Sequence, residues 1–333
     1  MDIKNLSDLK NYLAEIDFLK DYQLTNYNLL PGGVSAHTVY VDGDHPIVVK
    51  QALGKLKTQV DWFSDPERIA IENLGLNWLF KNLPIGSVPK PIYFDLKNNL
   101  MIMEGIAPPV DNLKSLLLNG VPPKHLIESF GKMLGTIHRK GMEDPNSPNT
   151  FSNRDFFINL RLEPYYEFTG GQVPSSKPFY HKLIQSTLDH RITIVHGDFS
   201  PKNILVKDNH LILLDHEVMH FGDPAFDVGF ALTHFLSKAN HLSNISFVDL
   251  ALLVWDSYRS EFSFNEDDYQ SRCIRHLLGC MLARIHGKSP LEYLSREHRD
   301  WQSQFILALL NNIPGSMIAL LETYKKSLNE RQS

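Results

Sequence analysis

The sequence predicts an α+β protein of two lobes, a small antiparallel sheet followed by a mostly helical body. Three observations carry this. At 333 residues the chain is long enough for two cores. Short apolar runs separated by turn residues crowd the stretch from Tyr27 to Met103, whereas apolar residues at helical spacing dominate beyond residue 122. Between them Glu104-Gly105-Ile106 leads into Pro108-Pro109, a chain crossover that places the boundary near residue 105 and gives lobes 1–105 and 106–333.

In chain order, Leu6, Leu9, Leu13, Ile16 and Leu19 share one helix face and predict a helix over 5–20. Tyr27 to Leu30, Val39 to Val41 and Ile47 to Lys50 predict three strands. The first two flank Pro31-Gly32-Gly33-Val34-Ser35, where a glycine pair permits a tight turn and lets backbone N–H groups approach phosphate oxygens. Ser35 and His37 can add hydrogen bonds; a plain hairpin turn is the competing reading, because neither a Walker A loop nor G-x-G-x-x-G is present. Lys50 closes the third strand, either buried against a carboxylate or exposed at the strand tip. Asp65 as N-cap and Pro66 at the first position predict a helix with Ile69, Leu76 and Leu79 on its apolar stripe and Glu72 on the same pattern. The basic link 51–62, with Lys55 and Lys57, reads as a flap or a solvated face. Ile92 to Asp95 and Leu100 to Met103 complete the sheet.

In the second lobe Ile127, Phe130, Leu134 and Ile137 mark the inner face of a helix over 122–140, with Gly141 as its cap. Gly131 and Gly135, one turn apart, permit another element to pack closely, and His138 reads as structural. Residues 144–176 are rich in Pro, Asn, Ser and Gly; their aromatic residues Phe156, Phe157, Tyr165, Tyr166 and Phe168 suit either core packing or a substrate-facing wall. Arg154 and Asp155 are the candidate polar residues there. Residues 247–330 predict helices interrupted at Arg284 to Pro290, where Arg284 and Lys288 either bind an anionic substrate group or favour a helix C-terminus.

Composition narrows the function classes. A chain 43% hydrophobic and 21% charged is globular, and a net charge of −5 argues against a general nucleic-acid binder while allowing a local basic pocket. Cys273 and Cys280 lie seven apart in one helical pattern, two turns apart and too far for a disulfide, which fits a reducing compartment. No apolar run suits a membrane span, and the charges of MDIKNLSDLK fall where a signal peptide needs an apolar core; the expectation is a cytoplasmic protein with no membrane partner.

The densest chemistry lies in residues 196–217, HGDFSPKNILVKDNHLILLDHE. After the apolar run Ile192 to Val195 it reads as a loop feeding a β-hairpin turned by Lys207-Asp208-Asn209. Asp198 falls in a loop at a strand end, where a carboxylate can reach a substrate hydroxyl. Asn203 and Asp215 flank the hairpin, and an amide oxygen with a carboxylate is hard-oxygen ligation suited to Mg²⁺ on phosphates. Lys202 either approaches a γ-phosphate or is an exposed loop lysine. His196, His210, His216, His220 and His234 would be needed by a zinc hydrolase, but no H-E-x-x-H spacing appears.

H-G-D-x-x-x-x-N followed by L-L-D-x-E resembles the aminoglycoside phosphotransferase family, which is similar to choline and methylthioribose kinases. The resemblance covers roughly residues 25–240, with H-G-D in place of the protein-kinase H-R-D and D-H-E in place of D-F-G. It implies a bilobal protein kinase-like fold using ATP and Mg²⁺ to phosphorylate a hydroxyl of a small molecule. It further implies Asp198 as catalytic base, Asn203 and Asp215 as metal ligands, and Glu217 as a second-metal contact. Gly32, Gly33, Ser35 and Lys50 would face the phosphates, with Glu72 as the lysine's partner, and Met103, Glu104 and Ile106 would form the hinge that pairs with adenine. Asp227 of G-D-P-x-x-D would support the loop backbone at His196, and an insert at 144–176 would contact the acceptor. The short 218–229 stretch lacks A-P-E, which favours a small acceptor over a protein. A catalytically weak nucleotide-binding protein and a protein kinase are the alternatives.

Overall fold

A computed structural model describes every residue except 19–23, 32, 59–60, 121, 264–267 and 333. It divides into two compact units, Met1–Val110 with Ile212–Val218, and Asp111–Leu211 with Met219–Ser333.

In the first unit, α1 (Leu6–Glu15) starts from Asn5, whose side chain accepts from the Ser7 N–H. It ends earlier than its periodicity predicts, since Ile16 caps it and Asp17 turns left-handed at φ 59°. Leu19 lies outside the described residues. Strands β1 (Leu24–Leu29), β2 (Ala36–Gly43), β3 (Ile47–Ala52), β4 (Pro91–Asp95) and β5 (Leu100–Glu104) form an antiparallel sheet in the order β1-β2-β3-β5-β4, with α2 (Arg68–Asn82) between β3 and β4 in sequence.

Strand alternation sorts the side chains. Val39, Val41, Ile47, Val49, Leu100 and Ile102 are fully buried in one cluster with Leu9 and Leu13 of α1. Burying each such side chain contributes roughly 1.5–3 kcal/mol. Lys50 follows Val49 and therefore faces the other side of the sheet, where α2 brings Glu72. The strand continues two residues past Lys50, so the lysine is interior and buried rather than an exposed strand end. Helix α2 also begins later than its apparent cap signal: Asp65 accepts from the Glu67 N–H, and Glu67 occupies the cap position.

In the second unit, β6 (Asp111–Asn112) leads into α3 (Leu113–Asn119) and then α4 (Lys124–Glu143). Gly131 and Gly135 give α4 its close approach to a later helix, α10 (Ser246–Glu261): a Cβ on Gly131 would lie 2.5 Å from Val254 O, and one on Gly135 2.7 Å from Tyr258 O. Gly141 does not cap α4 but lies within it against β7 (Thr193–Val195), where a Cβ would meet Thr193 Oγ1 at 2.6 Å.

The 144–176 stretch is helical despite its composition. Its elements are α5 (Ser147–Thr150), α6 (Asp155–Phe157), a ten-residue π-helical segment (Ile158–Glu167) and α7 (Phe168–Gln172). Phe157, Tyr165 and Tyr166 are core residues, with Tyr166 hydrogen-bonded to His276 Nδ1 at 2.8 Å. After α8 (Lys177–Asp189) and β7 come β8 (Ile204–Lys207), paired with β6, and β9 (His210–Leu213), in which the chain crosses into the first unit after Leu211. Strand β10 (His220–Gly222) then pairs with β7. Helices α9 (Ala225–His241), α10, α11 (Tyr269–His286), α12 (Arg296–Leu309) and α13 (Met317–Gln332) complete the unit. Cys273 and Cys280 are buried free thiols on α11.

Candidate active site

The predicted site residues fall in both units, and each unit builds its own cluster. In the first, Lys50 Nζ lies 2.6 Å from Glu72 Oε1 and 2.7 Å from Asp215 Oδ1. Burial works against charge on Lys50, but Asp215, Glu72 and Glu217 outweigh it and hold the ammonium's pKa above its ordinary value. Burial pushes the Glu72 carboxyl up to about 7, with Lys50 opposing and Asp215 and Glu217 reinforcing the rise. Asp215 adopts φ 69°, a left-handed backbone that aspartate tolerates better than most residues. Its segment is pinned by the Leu213 N–H, which donates to Ser87 O at 2.8 Å.

Arg68 is a residue that sequence reasoning missed. Fully buried, it donates from Nε to Glu217 Oε2 at 2.9 Å and from Nη1 to Ser64 O and Asp65 O. Its Nη2 donates to Leu53 O, just past β3, and to Ser35 O, tying the Gly33–Ser35 turn to that segment and to Glu217. The available signal was its position four residues before Glu72, which puts both on one helix face. Among the described residues, Glu72, Asp215 and Glu217 form the one group with metal-ligand spacing, one oxygen of each lying within 4.8 Å of the others. Three carboxylates against Lys50 and Arg68 leave an excess of negative charge and hard-oxygen donors, a set that fits Mg²⁺.

Around this cluster, Gly33 has φ 69° and open space where a side chain would stand, Ser35 is buried, and Gly32 lies outside the described residues. Lys57 Nζ donates to Ala36 O, and Lys55 pairs with Asp61. Met103 is buried at the end of β5. The Glu104 N–H donates to Lys90 O and the Gly105 N–H to Pro46 O, so those two amides are already committed; Ile106 is half-buried beyond them.

In the second unit, β7 runs into His196-Gly197-Asp198, where Gly197 takes φ 76°. Asp227 of α9 accepts from the His196 N–H at 2.6 Å and the Gly197 N–H at 2.8 Å. His138 Nε2 lies 3.2 Å from the same carboxylate, and its Nδ1 lies 3.0 Å from Tyr258 OH. Burial would raise the Asp227 carboxyl; the hydrogen bond and charge of His138, then His196, outweigh it and hold the pKa below the ordinary value. Asp198 Oδ2 accepts from Asn203 Nδ2 at 2.7 Å, while Oδ1 lies 3.1 Å from Arg161 Nη2. An amide facing a carboxylate must present its NH₂, which leaves the Asn203 carbonyl oxygen directed elsewhere.

Arg161, in the π-helical segment, is the second residue the sequence did not disclose. It grips the loop twice, through Asp198 and through a 2.7 Å bond from Nε to Gly197 O. Lys202 is exposed, and its carbonyl accepts from Asn112 Nδ2. The remaining candidates scatter. Arg154 donates to Leu188 O and Asp155 is exposed, whereas Arg284 donates to Tyr165 OH at 3.1 Å and Lys288 Nζ lies 5.7 Å from the Phe168 ring. Of the five histidines, His196, His216, His220 and His234 are buried and His210 is exposed; His220 stacks on Phe157, and none joins a metal-type group among the described residues.

A model described as the phosphotransferase enzyme family matches residues 26–259. No curated protein matches the sequence. Among solved structures, a choline/ethanolamine kinase family protein from Mesorhizobium loti has a TM-score of 0.56 at 14% identity, covering 98% of this chain and 99% of that one. Amicoumacin kinase hAmiN, solved with AMP-PNP, Ca²⁺ and Ami, has a TM-score of 0.56 at 14% identity, covering 93% and 97%. ADP-bound aminoglycoside phosphotransferase APH(2'')-Ib has a TM-score of 0.52 at 16% identity, covering 88% and 95%. These likenesses establish the α+β, protein kinase-like fold, with its small antiparallel-sheet lobe and mostly helical lobe.

Proposed function

The chain belongs to the phosphotransferase enzyme family, and we propose that it transfers the γ-phosphoryl group of ATP to a hydroxyl of a small molecule. The observation that carries this reading is Asp198, whose two carboxylate oxygens are each held by a separate donor, Asn203 and Arg161, on a loop whose backbone Asp227 fixes. A carboxylate so oriented serves one purpose well: to align a hydroxyl and take its proton.

In the first unit, Lys50 supplies a fixed positive charge for the α- and β-phosphates, with Glu72 setting its position. Gly33 and Ser35 offer backbone and side-chain donors to the phosphates, and the chain at Met103, Glu104 and Ile106 is the adenine-pairing hinge. Asp215 and Glu217 would hold Mg²⁺, and the family resemblance gives Asn203 as a further ligand. That ion, when bound, offsets charge on the phosphate oxygens. Lys202 would meet the γ-phosphate, and Arg284 and Lys288 would contribute to the acceptor site. As the acceptor oxygen bonds to the γ-phosphorus, the bond to the β-phosphate oxygen breaks, ADP leaves, and Asp198 carries the hydroxyl proton away.

The test is ADP release in a coupled assay over a panel of hydroxylated small molecules. Asp198→Asn is expected to lower kcat by 10²–10⁴-fold, the range for loss of a positioned acid–base group, with little change in the KM for ATP. Lys50→Met is expected to raise that KM. Wild-type turnover in Asp198→Asn would remove the reading.

A further inference from the structure

The second unit carries a cluster of polar groups that phosphoryl transfer itself does not use. Lys238 on α9 is fully buried, and among the described residues it has no carboxylate partner. Its Nζ donates a 3.3 Å bond to His234 O and lies 5.3 Å from the Tyr293 ring centroid. Lys114 Nζ, bridged to Glu292, stands 6.0 Å from the same ring. Among the described residues, the Tyr293 hydroxyl, His234 Nε2 and Arg284 Nε are buried and have no hydrogen-bond partner. Burial lowers the Lys238 pKa to about 7, Lys114 and Arg284 push the same way, and Glu292 opposes them. Burial, followed by Lys238, Arg284, Lys114 and Lys202, also holds His234 well below its ordinary pKa. Cations converging on unsatisfied donors weaken a fold unless something negative joins them.

Tyr165 links this cluster to the catalytic loop. Arg284 Nη1 donates to its hydroxyl, and the Arg284 guanidinium carbon lies 5.6 Å from its ring centroid. The guanidinium of Arg161, which bridges to Asp198, lies 5.8 Å from the same centroid. Phe230 stacks on Tyr165 and meets the His234 ring edge-on at 5.2 Å. One aromatic side chain thus touches both the arginine at Asp198 and the arginine of the basic cluster.

We infer that this cluster recognises an oxyanion on the acceptor, a carboxylate or a phosphate monoester, so that the acceptor is a hydroxylated acid or phosphate ester rather than an amine or a neutral alcohol. The Arg284 and Tyr293 donors face the anion, and Lys238 beneath the Tyr293 ring supplies the field. The inference rests on the phosphotransferase reading for the fate of the acceptor's hydroxyl, but not for the binding of its anion.

The experiment is calorimetric titration of the full chain with D-gluconate, inorganic phosphate and D-glucosamine, in wild type, Lys238→Met and Tyr293→Phe, with Mg-ATP binding and Tm measured alongside. Gluconate or phosphate is expected to bind wild type, the tighter one identifying the anion, and both variants are expected to lose tenfold or more. Glucosamine is expected not to bind. Without ligand, Lys238→Met is expected to raise the Tm, and gluconate to add nothing to it. Anion affinity unchanged in the variants, preference for glucosamine, no anion binding, or a lowered Tm in Lys238→Met would each overturn the inference. If Lys238→Met does not fold the inference falls as well, because the ammonium then serves the fold. Anion binding that depends on Tyr293 while Mg-ATP does not bind would keep the anion site and remove the kinase reading.

Discussion

Arg161 and Arg68 hold the candidate machinery in shape, and both do it with a fork that lysine lacks. Arg161 reaches Asp198 and Gly197 O at once, so a single ammonium cannot replace it. Arg161→Lys is expected to lower kcat by about 10-fold or more, equivalent to about 1.4 kcal/mol of lost positioning, with the KM for ATP changed less than twofold; steady-state kinetics separate the two. Lys238 gives a prediction in pH. Its folded pKa is about 7 against the ordinary 10.5, so between those values the unfolded chain holds a proton that the folded chain has released. Stability from this group therefore rises with pH through that window and is lowest below 7. Lys114, Arg284, Glu292, His234, His241 and Tyr293 are the charged and titratable neighbours facing it. Lys238→Met is expected to gain on the order of 1–4 kcal/mol at pH 6 to 7, with the gain shrinking towards pH 10. Urea unfolding of both proteins across that range checks it, and a gap that widens with pH contradicts the sign.

At the scale of elements, α4 is the clearest case of sequence dictating packing. Two glycines one turn apart leave a groove in which α10 lies against backbone, closer than any side chain permits. Gly131→Ala would push a methyl to 2.5 Å from Val254 O, so helix propensity and packing oppose each other. Packing is expected to win, with a net loss of about 1–3 kcal/mol in urea unfolding, while the exposed Gly171, whose Cβ would meet nothing within 4 Å, tolerates alanine. The π-helical segment shows the opposite situation. Its Pro, Asn and Gly neighbours read as irregular chain, yet burial of Tyr165 and Tyr166 and the reach of Arg161 into the loop impose a wide helix. Such segments are local compromises made where a side chain must be placed.

For the molecule as a whole, what was legible in the sequence was whatever acts over short range. Alternation gave the sheet strands, and the order of Asp198, Asn203, Asp215 and Glu217 along one stretch gave the resemblance. Lys50 and Glu72 were paired through the resemblance, with the need of a buried lysine for a carboxylate as its physical reason. Arg68 and Arg161 were not, because their partners lie 149 residues away at Glu217 and beyond a helix at Gly197, and no local pattern records such pairings. Helix ends were misplaced for a related reason: Gly141 serves contact with Ile194 rather than termination. The basic cluster around Tyr293 was glimpsed only through Arg284, since α3, α9 and α11 must fold before Lys114, Lys238 and Arg284 share neighbours.

The central claim, that a phosphoryl group leaves ATP for an alcohol under the control of Asp198, is tested most directly by ³¹P NMR. Wild-type protein with Mg-ATP and the panel of hydroxylated small molecules is expected to produce a phosphomonoester resonance in one-to-one step with ADP, and Asp198→Asn to leave both absent over the same hours. ADP accompanied only by inorganic phosphate across the panel, or ester formed equally fast by Asp198→Asn, would contradict it.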